Sequence, residues 1–149
     1  MGVRIRWASL ICLLICSGCG RESRTLSETK HDLTCIVLHY HQFHSDRGRG
    51  PHNAEELLGY EDPAADSVPG NAESQKRARD ALRSGKYVVI WDVELLVPAE
   101  KNAGKILAYY SDVPQKGGVV CYQDGVAAEL TREQFQQTPK SQPADVRKD

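Results

Sequence analysis

The sequence carries no excess of charge of either sign. Its 19 Lys and Arg stand against 20 Asp and Glu, for a formal net charge of -1. That balance argues against a nucleic-acid partner, which a basic face would have to hold. There is no apolar run approaching the ~20 residues that a membrane-crossing helix needs. The chain also lacks Gly-x-Ser-x-Gly, His-Glu-x-x-His and phosphate-loop patterns, and no pair of carboxylates stands in a recognisable frame. No internal repeat is visible. These absences point away from an enzyme and leave no cofactor to expect. What remains is a chain of 149 residues, 40% hydrophobic and 26% charged, in the ordinary range for one globular domain.

The N-terminus is the most informative stretch. Arg4 and Arg6 form a short basic start, and Trp7 to Gly18 is uncharged and dominated by Leu, Ile and Cys. This suits the apolar part of a secretory signal. It ends in Cys16-Ser17-Gly18-Cys19, followed by Gly20 and the charged Arg21 and Glu22. Small residues just before a cysteine resemble the lipobox of bacterial lipoproteins, with Cys16 where Leu is usual. The resemblance implies cleavage before Cys19, a diacylglyceryl group on its sulfur, and a membrane partner held through that lipid. Several acyl chains, at ~0.8 kcal/mol for each buried methylene, anchor stably where one does not. The expected address is the cell envelope, facing the periplasm or exterior. Gly20, rather than the Asp linked to inner-membrane retention, favours the outer membrane.

Five cysteines are present. Cys12 and Cys16 leave with the leader and Cys19 takes the lipid, so Cys35 and Cys121 remain in the body. An exported compartment permits a bridge between them. Two separate buried thiols are the alternative.

Along the body, residues 1–18 read as the signal, 19–25 as a polar tether, 26–137 as the folded domain and 138–149 as a disordered tail rich in proline and charge. Thr25 and Glu28 have capping-box spacing, and Leu33, Ile36, Val37, Tyr40 and Phe43 recur at helical period, so a long helix runs from Leu26 to near Ser45. Asn53 starts a short helix, 61–72 is a loop, and Glu73 to Ser84 is a third, polar helix. Tyr87 to Trp91 is a strand that Val93 to Val97 extends after a kink, with Pro98 as its stop. Strands over Lys105–Tyr110, Gly118–Gln123 and Val126–Leu130 follow. Asp124-Gly125 between the last two suits a type I′ turn. Thr131 and Gln134 cap a final short helix. Helices first and an antiparallel meander after them make an α+β fold, with the long helix on one sheet face.

The order of these motifs resembles a family. Leu38-His39-Tyr40-His41, Gly48, Pro51 and Glu56-Leu57 come first. Gly85 to Trp91, Val113-Pro114, Gly117-Gly118-Val119, Asp124-Gly125-Val126 and Thr131 to Phe135 follow. Across residues 26–137 the chain is similar to small exported proteins of planctomycete-type bacteria related to type II secretion pseudopilins, which carry a prepilin-type, processing-associated domain of unknown function. The resemblance implies a pilin-like head. A lipobox stands where pseudopilins have a polymerising stem, and Pro114 stands where many relatives have His. Together these imply a lipid-tethered module rather than a filament subunit, with an envelope or secretion protein as its partner.

Three clusters hold reactive residue types. His31, Cys35 and His39 share a helix face at i, i+4 and i+8, with His41 and His44 beside them and His52 beyond. Imidazole and thiolate suit zinc or copper, which makes a metal-binding envelope lipoprotein the alternative function. Ser45 and Asp46 next to His44 offer the atom types of a catalytic triad, yet neighbours on a helix do not face one another. Lys76, Arg77, Arg79, Arg83 and Lys86 line the third helix, either as a solvated face or as a contact for anionic lipid. Tyr87, Val89 and Trp91 share one strand face, which is a candidate partner surface unless the loop at 61–72 covers it.

Overall fold

A computed structural model describes residues 25–60, 72–96 and 99–144. The expected signal peptide, Cys19 and the loop at 61–71 lie outside the described residues, as do Val97, Pro98 and 145–149.

The first element is α1 (Leu26–Arg47). It starts where it does because Thr25 and Glu28 satisfy each other's end of the helix. Thr25 Oγ1 accepts from the Glu28 N–H at 3.2 Å, and Glu28 Oε2 accepts from the Thr25 N–H at 3.0 Å. Thr25→Ala removes one arm of that box and is expected to cost about 1 kcal/mol, read from chemical denaturation. The buried stripe of α1 is Leu33, Ile36, Val37, Tyr40 and Phe43, the set that the periodicity indicates. Thr29 and Asp32 are buried in the same stripe.

Two shorter helices follow, α2 (Ala54–Gly59), capped by the Asn53 side chain on Glu56 N–H, and α3 (Ala72–Arg83). Although α3 looks polar in sequence, it is amphipathic. Ser74, Ala78, Ala81 and Leu82 face inward, and the long cations mostly face out.

The sheet consists of β1 (Tyr87–Val89), β2 (Ile106–Tyr110), β3 (Gly118–Tyr122) and β4 (Ala127–Leu130), antiparallel and in chain order. Alternation sorts its side chains onto two faces. Tyr87, Val89, Ala108, Val119 and Cys121 join α1 in the main core. Ile106, Val120 and the partly buried Tyr109 and Tyr122 point the other way, where Val113 and Phe135 cover them. Those two residues come from α4 (Val113–Lys116) and α5 (Arg132–Gln137). The sequence reading anticipates α5 with its Thr131–Gln134 capping box and misses α4, a single turn.

Three expectations are corrected. The β3–β4 turn is not type I′. Asp92 is the only non-glycine with positive φ among the described residues, so Asp124 is not left-handed. Gly125 N–H donates to Tyr122 O at 3.0 Å, Tyr122 N–H donates to Val126 O at 2.9 Å, and Gly125 sits at φ 84. That is a three-residue loop, a tight turn followed by one left-handed glycine, which Asp-Gly serves equally well.

The second correction concerns Val93 to Leu96, which do not extend β1. The chain turns at Asp92, at φ 59, and side chains rather than a neighbouring strand take the backbone groups of this extended strap.

The third is the tail, which is ordered through Ala144. Ile106 N–H donates to Pro139 O, Ser141 N–H to Ile106 O and Ala144 N–H to Asp92 O, at 2.8 to 2.9 Å. Lys140 Nζ sits 4.3 Å from the Phe135 ring centroid and closes the end of α5 by donating to Thr138 O at 2.9 Å. Backbone pairing and polar anchors hold this segment, so it needs no apolar period.

Candidate functional site: the histidine-bearing helix

Four of the five histidines, His31, His39, His41 and His44, project from α1 together with Cys35. His31 is exposed, and its Nε2 lies 3.6 Å from Cys35 Sγ. His39 Nε2 bonds Leu57 O at 2.9 Å, tying α1 to α2. His41 Nε2 bonds Gln123 O and holds the β3–β4 turn. His44 Nε2 accepts the Leu95 N–H at 3.1 Å and holds the strap. His52 Nδ1 bonds Asp92 Oδ1 in a close, exposed pair.

The histidines therefore diverge onto separate partners. Among the described residues, no group of three or more His, Cys, Asp or Glu could hold a metal ion. The alternative of a metal site built from His31, Cys35, His39, His41 and His44 is therefore not assembled. The i, i+4 spacing is present, but three of the four imidazoles are spent as struts to backbone atoms.

Cys35 and Cys121 are both free and buried, so the bridge left open by the sequence is not formed. The geometry of the helix gives the reason. Thr34 faces the turn, with its hydroxyl donating to Gly125 O at 3.3 Å. Cys35 is the next residue, about 100° further round, and faces Asp32 and Arg77. Burial raises the Cys121 thiol to about 12. Burial first, and then the Asp32 carboxylate, raise that of Cys35. Both remain thiols at neutral pH, poor as nucleophiles or metal ligands.

The triad-like grouping at Ser45 separates in the same way. Asp46 Oδ2 accepts the Tyr60 hydroxyl, Ser45 is exposed, and His44 is engaged by Leu95. Trp91 is half-buried against the main core, and Tyr109 packs on Phe135 at 5.1 Å between ring centroids on the opposite face. Tyr87 and Val89 are buried in the main core with Trp91 against it, so the strand face they share is covered rather than open to a partner. The exposed large hydrophobics among the described residues are Leu26, Leu38 and Val126. Leu38 lies against Gly125, so it and Val126 flank the same turn.

Two features escape the sequence reading. One is a buried ion pair. Asp32, 0% exposed, receives Arg77 Nη2 at 2.9 Å and Nε at 3.2 Å, and Tyr87 Oη donates to its other oxygen at 3.0 Å. The carboxylate in turn raises the Arg77 guanidinium above its usual value. This set joins α1, α3 and β1, and its one signal in sequence is an acid inside the apolar stripe. The remaining cations of α3 stay outside, Lys76 and Arg83 both pairing with Asp80.

The other feature is the strap. Tyr40 Oη donates to Val93 O at 3.0 Å and accepts Val93 N–H at 2.8 Å. Asn102 makes the same two-way bond to Leu96, at 2.8 and 2.9 Å. At its start, Arg49 and the His52 N–H converge on Glu56 and lower that carboxyl to about 2, the guanidinium bond contributing most.

The assembly is an α+β domain in which three histidines of α1 serve as braces. Comparison with known protein families, characterised proteins and solved structures finds no match to this chain. No helix among the described residues is long and apolar enough to cross a membrane.

Proposed function

We propose that this chain is a lipid-anchored cell-envelope protein whose α+β head is a non-enzymatic interaction module, related to pseudopilin heads. The observation that carries the reading is Cys16-Ser17-Gly18-Cys19 at the end of an apolar stretch behind Arg4 and Arg6, with Cys19 six residues before the cap of α1. Six residues span at most about 20 Å, which keeps the start of α1 near the lipid surface. The non-enzymatic reading is supported by the way His39, His41 and His44 are committed to backbone atoms and by the two protonated, buried thiols. The exposed Leu38 and Val126 beside the β3–β4 turn give an envelope or secretion protein a small apolar foothold.

Fractionation of cells expressing the full sequence tests the reading. The native chain is expected in the membrane fraction, released by detergent but not by salt, and Cys19→Ser is expected to lose that detergent-only behaviour. A native chain that washes off in salt, or a Cys19→Ser chain that behaves like it, contradicts the proposal.

A further inference from the structure

Three histidines on the C-terminal half of α1 brace three different segments, and they answer to acid in opposite senses. The Nε2 atoms of His39 and His41 meet carbonyl oxygens. A carbonyl only accepts, so each Nε2 carries a proton. Protonating the other ring nitrogen leaves these bonds in place and strengthens them with charge. His44 is the reverse case. Its Nε2 meets the N–H of Leu95, which only donates, so that nitrogen is bare. A proton there removes the acceptor and sets one N–H against another.

We propose that His44 is an acid-released latch, which holds the middle of the strap on α1 at neutral pH and frees Leu95 when its ring is protonated. The flanks of the strap are insensitive to this change. Val93 is held by the Tyr40 hydroxyl and Leu96 by the Asn102 amide, and neither group gains a proton in mild acid. Asp92, at the start of the strap, is held separately by His52. Acid therefore loosens one point of the strap and leaves its neighbours held. The release uncovers Leu95, which the closed form buries in the main core.

The surroundings of the ring set the direction. Burial holds the His44 imidazole below its ordinary value, opposed by Glu94 on the strap and assisted by His41 on α1. A lowered folded-state value means that the contribution of His44 is complete above the unfolded imidazole value of ~6.5 and declines as pH falls below it. The latch is thus closed at neutral pH and opens on the acid side.

Amide exchange followed by NMR on the full chain in detergent micelles, from pH 7.5 to 4.5, tests the latch. After correction for intrinsic exchange, the Leu95 protection factor is expected to fall roughly tenfold or more. Its midpoint should follow the His44 ring titration, below that of a free imidazole. The Val93 and Leu96 amides should change by less than about threefold. His44→Gln supplies an acceptor that does not titrate, and should flatten the Leu95 profile. Should that variant fail to fold, the three amides of the native chain decide alone. Leu95 protection that ignores pH, or all three amides opening together, overturns the proposal.

Discussion

Arg77→Met is expected to destabilise the fold by about 3–5 kcal/mol, because it strands a carboxylate with no access to water. Asp32 is wholly buried, while Arg77 keeps about a quarter of its side chain in solvent (27%). The two partners are therefore unequal. Removing the cation leaves the Tyr87 Oη bond from β1 without the charge that balances Asp32. Asp32 must then stay charged and under-solvated or take up a proton, and either outcome costs stability. The native pair is not for that reason a large net stabiliser, since taking both charges out of water consumes most of their attraction. The triple variant Asp32→Leu, Arg77→Met, Tyr87→Phe separates the two ideas. It removes the cation, the anion and the hydroxyl together, and should recover most of the loss seen with Arg77→Met alone. Chemical denaturation of the two variants checks this. If the triple variant is as unstable as the single one, the loss is one of packing and not of an uncompensated charge.

Gly50→Ala should be nearly as damaging, for a steric reason. A Cβ placed on Gly50 would lie 2.3 Å from Tyr40 Oη, 2.5 Å from Val93 O and 2.9 Å from Val93 N. Two of those three atoms are backbone, so a rotamer change of Tyr40 cannot relieve the clash. Either the strap moves off α1 or the two Tyr40–Val93 bonds break. Overpacking costs about 1–3 kcal/mol, and each buried group left without a partner about 1–3 kcal/mol more. A loss of at least about 3 kcal/mol is the expected result. Tyr40→Phe keeps the ring and deletes the hydroxyl, leaving the Val93 N–H and C=O bare, and should cost about 2–4 kcal/mol. Because Tyr40 Oη is also one of the clashing atoms, the double variant should lose less than the sum of the two single changes. Strict additivity would show that Gly50 is required for some other reason than the Tyr40–Val93 clamp.

Local chemistry explains which parts of the fold can be read in advance. Thr25 with Glu28, Asn53 with Glu56 and Thr131 with Gln134 each act over three residues, and all three caps are where their spacing puts them. The stripe from Leu33 to Phe43 and the alternation through Tyr87-Val88-Val89 likewise carry their own periods. What escapes reading is non-local. Nothing near Asp92 announces a left-handed residue, since Asp tolerates that region without advertising it. The strap reads as a strand because its residues are mostly apolar, yet its partners are side chains: Tyr40 and His44, 53 and 51 residues from the groups they hold, and Asn102 just beyond its end. The tail at 138–144 reads as disordered because it lacks apolar residues, but it is held by Ile106, Gln123 and Asp92.

The histidines show the same limit at the candidate site. Spacing on α1 places His31, Cys35 and His39 on one face, and it also fits a metal. Only the positions of Leu57, Gln123 and Leu95 reveal that the imidazoles reach outward to separate backbone atoms. The thiols follow suit, since one helical step between Thr34 and Cys35 directs Cys35 away from Cys121. Asp32 is the reverse case: its signal was present, an acid among Thr29, Leu33 and Ile36, but its partner Arg77 lies 45 residues away.

The identity of residue 19 in the native protein bears most directly on the proposed role. Intact-mass measurement of the protein from membranes, with Cys19→Ser beside it, reads leader removal and acylation together. The expected chain begins at Cys19, heavier than its polypeptide by a diacylglyceryl group and shorter by the eighteen residues before it. A chain that retains those residues, or begins at Cys19 with no added lipid, contradicts the proposed role.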